Sequence, residues 1–81
     1  MKLTRTQCRG ARGLLGMTQA DLARLSDVSL RTIASFEVGQ HSPIPANLAA
    51  LRRALESAGV IFIDGNGEGP GVRLRKQAKG R

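Results

Sequence analysis

The sequence predicts a mainly α domain of four short helices, followed by a C-terminal pair of strands. Three observations carry that reading. Thr4, Thr18 and Ser29 each stand just before a run with helical apolar spacing, where N-cap residues belong. Leu48, Leu51 and Leu55 repeat at spacings of three and four behind Pro45, a residue suited to a first helical turn. From Val60 onward the pattern changes from helical spacing to the β-branched and alternating patterns of strands.

Thr4-Arg-Thr-Gln7 has the form of a capping box, and Cys8, Ala11, Leu14 and Leu15 supply the inward residues of a first helix from Thr4 to Leu15. Gly16 closes it. Gly10 and Gly13 each weaken that helix by roughly 1 kcal/mol relative to Ala, so they either permit close packing or leave the helix dependent on tertiary support. Thr18 caps a second helix, Gln19 to Leu25, with Ala20, Leu22 and Ala23 expected inward and Asp21 complementing the dipole in its first turn. Ser29 caps a third, Leu30 to Val38, with Ile33 and Phe36 on one face and Gly39 at its end. Pro43 and Pro45 make Gln40 to Pro45 a loop. The fourth helix, Pro45 to Ala58, buries its leucine stripe and keeps Arg52, Arg53 and Glu56 off it until Gly59 stops it.

Val60-Ile-Phe-Ile63 and Val72-Arg-Leu-Arg75 read as strands around the turn-forming stretch Asp64 to Gly71. A lone hairpin is marginal in water, so these strands should pack on the helices or pair with a second chain. The expected organisation is a helical domain over residues 1–59, a β element and candidate dimer surface over 60–75, and a disordered basic tail over 76–81.

One domain of 81 residues leaves no room for a multidomain enzyme. Thirteen Lys and Arg against six Asp and Glu give a net charge of +7, which calls for a polyanionic partner, either nucleic acid or an acidic membrane. With no Trp, no Tyr and only Phe36 and Phe62, the chain lacks stacking platforms, which disfavours single strands and structured RNA. A single cysteine, Cys8, allows neither an internal disulfide nor a cysteine zinc site, so a reduced cytoplasm is expected. The apolar runs are too short to span a membrane and no secretory signal opens the chain, so neither membrane insertion nor secretion is expected. Cys8 and the only histidine, His41, lie far apart in sequence, and there are no paired acids or metal-ligand clusters. No enzymatic activity, cofactor or metal ion is therefore expected.

The central pattern is Gln19-x-x-Leu22-Ala23, then Val28-Ser29-x-x-x-Ile33-x-x-x-Glu37-x-Gly39. It describes a helix–turn–helix. Ala23 lets two steeply crossed helices approach, Leu22, Val28 and Ile33 fill the angle between them, and Ser29 fixes the direction of the second helix. The start of that helix can then enter a DNA major groove.

From residue 4 to about 58 the chain resembles the phage repressor and Cro-type helix–turn–helix family, the xenobiotic-response-element family. The resemblance implies a lambda-repressor-like fold and a sequence-specific duplex-DNA binder, usually dimeric and usually a repressor, acting in the nucleoid of a bacterial cell. It implies that residues 1–59 are the DNA-binding domain. By it, Gln19 matches a phosphate-bonding, bracing position, and Leu30, Arg31 and Ser35 match base-facing positions. Arg31 suits guanine O6 and N7, and Leu30 suits a thymine methyl. Ser29 and Thr32 offer hydroxyls to phosphate, and Gln40 and His41 match a loop that follows the DNA backbone. Arg12 and Glu37 match a pair joining the first helix to the end of the recognition helix, which would also present Arg12 to phosphate. The same pair also reads as a purely structural salt bridge.

Three departures stand out. Asp27 occupies a turn position often held by Gly, and Leu30 replaces a polar base reader. The strand pair at 60–75 replaces the usual last helix. The Arg73 to Arg81 run is expected to attract phosphate nonspecifically. A rival reading keeps the fold but makes it an antitoxin-like interaction module, whose strand edge holds a protein partner.

Overall fold

The computed structural model describes residues 2–65, 67 and 69–76. Asn66 and Glu68 of the expected turn, and all of the expected basic tail except Lys76, lie outside the described residues. The elements run α1 (Arg5–Leu15), α2 (Gln19–Ser26), α3 (Leu30–Glu37), α4 (Pro45–Ala58), β1 (Val60–Ile63) and β2 (Gly71–Leu74).

The caps form as the sequence requires. Thr4 and Gln7 close a reciprocal capping box on α1, each backbone N–H donating to the other's side-chain oxygen at 3.0 Å. Thr18 and Asp21 do the same for α2. Ser29 Oγ accepts from the Thr32 N–H at 3.1 Å. Pro45 opens α4 without a side-chain cap, since its missing N–H would have no intrahelical partner there. Gly16, with φ +65°, ends α1 in the left-handed region.

The core is aliphatic: Leu22, Ile33, Leu51 and Leu55 are fully buried, joined by Val28, Phe36, Leu48, Val60 and Phe62. Cys8 is buried in α1. Two expectations fail. Leu14 remains 45% exposed although its spacing matches the buried Ala11, because it stands at the margin of the stripe whose centre is Gln7, Cys8 and Ala11. Ala20 is exposed for the same reason on α2, leaving Leu22 as that helix's one buried residue and Ala23 partly buried against the core.

The strands pair antiparallel as a hairpin, with Val60 opposite Leu74, Ile61 opposite Arg73, Phe62 opposite Val72 and Ile63 opposite Gly71. They lie on α1 and α4, away from α2 and α3. One side chain does much of the docking. Buried Gln7 donates its amide Nε2 to Ile63 O at 3.2 Å and to Gly71 O at 3.0 Å, tying α1 to both strands. Gly10 explains its place here: a Cβ on it would come within 3.3 Å of Val72 Cγ1, so Val72 packs on α1 at a distance that any side chain would widen by a few tenths of an ångström. On the other strand, the Arg52 guanidinium lies 5.9 Å from the Phe62 ring centre while bonding Glu56 at 3.0 Å.

Candidate nucleic-acid interface

The turn between α2 and α3 sets the direction of α3. Asp27 adopts φ +62° and ψ +26°, and its N–H donates to Ala23 O at 2.9 Å, ending α2 in one left-handed residue. Val28 then buries its side chain, while Ser29 takes extended backbone and caps α3. Ser29 Oγ also donates to Thr32 Oγ1 at 2.8 Å, so these two hydroxyls bond each other at the exposed start of the helix.

On α3, Ile33, Phe36 and Glu37 face inward, which turns Arg31 and Ser35, four residues apart, to the opposite side. Arg31 is exposed, and Leu30 at the very start is 48% exposed. Arg31, Thr32 and Ser35 line a groove of about 390 Å³ whose other wall is His41, Ser42 and Asn47. Four of the nine expected site residues, Arg31, Thr32, Ser35 and His41, thus meet at one groove. Leu30 and Ser29 adjoin it in sequence, and Gln40 is exposed in the loop without lining it. The Gln40 and His41 N–H groups both donate to Ser35 O, at 2.9 and 3.4 Å, which folds the loop back onto α3. Ser42 and Asn47 were not expected here. They reach the groove only through that folding, for which a local sequence pattern gives no signal.

Gln19 and Arg12 converge elsewhere, on Glu37. The Glu37 carboxylate is 2% exposed and accepts from Arg12 Nε at 2.8 Å, Arg12 Nη2 at 2.5 Å, Gln19 Nε2 at 2.9 Å and the Cys8 thiol at 3.2 Å. Arg12 Nη1 also donates to Met17 O at 3.0 Å. One carboxylate therefore joins α1, the α1–α2 turn, α2 and the last turn of α3. Burial pushes the carboxyl's pKa up, but the hydrogen bonds from Arg12, Gln19 and Cys8, with the arginine's charge, outweigh it and hold Glu37 below the ordinary glutamate range. The same bond raises the Arg12 pKa. Burial first, and then the bond to Glu37, pushes the Cys8 thiol far above its usual range, so it serves as a donor and not as a nucleophile. Arg5 crosses the same end of α3, its Nη1 3.5 Å from Glu37 O and its guanidinium against Gly39.

Among the described residues no group of three His, Cys, Asp or Glu could hold a metal ion, and no helix is long and apolar enough to cross a membrane.

A family model described as helix-turn-helix matches residues 9–58, from within α1 to the end of α4, and stops before the strands. No curated protein matches the chain. With more than half of its length matched, the chain belongs to the Cro- and repressor-type helix–turn–helix family and is a DNA-binding transcription regulator.

Proposed function

We propose that the protein is a repressor that reads the major groove with the N-terminal turns of α3. The observation that carries this reading is the presentation of Arg31 and Ser35 on the side of α3 opposite its buried face, with Thr32 and His41 lining the same surface groove. Arg31 is assigned to guanine and Leu30 to a thymine methyl. Ser29, Thr32, Gln40 and His41 are assigned to the flanking phosphates. Gln19 and Arg12 keep their bonds to Glu37 and direct their remaining donors outward to the backbone. A helix of this length covers only a few base pairs, so two copies act on half-sites about 34 Å apart. Bound there within a promoter, in the nucleoid, such a dimer blocks transcription.

Selection of bound duplexes from a random library at about 150 mM salt tests the reading, because nonspecific attraction is already weakened there. A palindromic consensus with half-sites about one helical turn apart is the expected result. Arg31→Ala should lose about 1–3 kcal/mol at the selected site and far less at a scrambled one. Gln19→Ala should weaken both. Equal losses at the two sites for Arg31→Ala would remove Arg31 as a base reader.

A further inference from the structure

The two edges of the hairpin differ. Arg75 N–H donates to Gly59 O at 2.7 Å, and with the observed register this makes Ile61–Arg73 and Ile63–Gly71 the hydrogen-bonded pairs. The N–H and C=O groups of Val60 and Phe62 on β1, and of Val72 and Leu74 on β2, therefore point away from the partner strand. On β1 both residues are buried, Val60 to 1% exposure, and that edge is closed. On β2 the edge is open: Leu74 is 50% exposed and Val72 partly so, and no described group bonds their outward N–H and C=O.

Beside this edge α1 presents a groove of about 460 Å³ lined by Thr6, Arg9, Gly10, Arg12 and Gly13. Gly10 is the residue on which Val72 rests, so the groove begins where β2 ends. Gly13, by contrast, has no internal reason to be glycine, since a Cβ there would meet nothing within 4 Å. It leaves the floor of the groove flat. Arg9 lines the groove, Leu14 follows Gly13 as an exposed apolar residue of α1, and β2 carries exposed Leu74 on the face that Val72 turns to α1 and Arg73 and Arg75 on the other; none of the three arginines has an acidic partner among the described residues.

We propose that the open edge of β2 is a docking site for an extended acidic segment of a partner protein, which adds to the hairpin as a third strand over Gly10 and Gly13. Backbone pairing supplies affinity, and the arginines select the charge of the incoming chain. A second copy fits this edge poorly. The antiparallel self-pairing that uses all four outward groups sets Val72 against Leu74 of the other copy and Arg73 directly against its counterpart, in a chain already at +7. Duplex DNA held at α3 is out of line with this edge, because the hairpin packs on α1 and α4, and an exposed row of backbone N–H and C=O groups pairs with another strand and not with phosphates.

The test is fluorescence anisotropy of the full chain with a dye-labelled peptide of about ten residues alternating valine and glutamate, against its valine–lysine counterpart. The glutamate peptide should bind at least about tenfold more tightly. Leu74→Pro deletes an outward N–H without touching the ladder and should weaken that binding about tenfold, with helical circular dichroism unchanged. Gly13→Gln should raise the melting temperature, because it improves helix propensity in open space, and still weaken the peptide about tenfold by filling the groove. Equal affinity for the two peptides, or wild-type binding by both variants, would overturn the proposal. So would dissociation of a dimer, or loss of duplex binding, caused by Leu74→Pro, since the edge would then serve a second copy or DNA. Should Leu74→Pro fail to fold, Gly13→Gln decides alone.

Discussion

Glu37 ties three helices together, because α1, through Cys8 and Arg12, and α2, through Gln19, both donate to the one buried carboxylate at the end of α3. Glu37→Gln keeps the shape but leaves the Arg12 guanidinium, 19% exposed, without its counter-charge. Breaking a buried pair costs about 3–5 kcal/mol, and the partial exposure of Arg12 lowers the expectation to about 2–3 kcal/mol in urea unfolding at neutral pH. The pH dependence follows from the depressed carboxyl. Its contribution to stability is complete above the ordinary glutamate pKa and is lost as pH falls through the lower native value. Stability should therefore be level from neutrality to about pH 5 and fall below that, and Glu37→Gln should flatten much of the fall. Asp21, also held low by its Thr18 and Arg24 hydrogen bonds at the surface, leaves a residual slope in the variant. At the turn, Asp27→Gly relieves a left-handed non-glycine residue and should gain about 0.5–1 kcal/mol, whereas Asp27→Val should lose at least as much, both read from thermal melts.

At the scale of elements, the two glycines of α1 separate local from tertiary cause. Gly13→Ala should stabilise by roughly 1 kcal/mol, because nothing opposes the gain in helix propensity. Gly10→Ala should gain clearly less, since the new methyl meets Val72 at 3.3 Å and displaces β2. Melting temperatures of the two variants side by side check this. The sequence alone could not distinguish these glycines, because the difference lies in a strand more than sixty residues away. The helices were legible for the opposite reason. Caps at Thr4, Thr18 and Ser29 and the leucine stripe of α4 act within one or two turns, so the signal and its cause sit in the same few residues. Stripe margins were less legible, and Leu14 and Ala20 were placed inward by a spacing that marks a face but not its edges. Arg12 with Glu37 was legible only through a family resemblance. The Gln7 bonds to both strands and the Cys8 donor to Glu37 were not legible at all, since each depends on how separate elements dock.

For the whole molecule the question is where a net charge of +7 acts. In the proposed complex, DNA lies against α3, and the hairpin with Arg73 and Arg75 packs on α1 and α4. A helix with its side chains is about 10 Å thick, close to one Debye length at 0.1 M salt. Charges on the far side of α1 and α4 should therefore be largely screened from phosphates bound at α3. Nonspecific duplex affinity falls with salt at a log–log slope of about 0.9 for each phosphate neutralised. The double variant Arg73→Gln and Arg75→Gln should leave that slope unchanged, although the chain has lost two positive charges. Binding titrations at several salt concentrations read it directly. A slope shallower by nearly two would put both arginines on the DNA backbone and make the hairpin part of the DNA-binding face. An unchanged slope leaves them free for a different polyanion, with the acidic strand proposed for the β2 edge as the chemistry that fits their position.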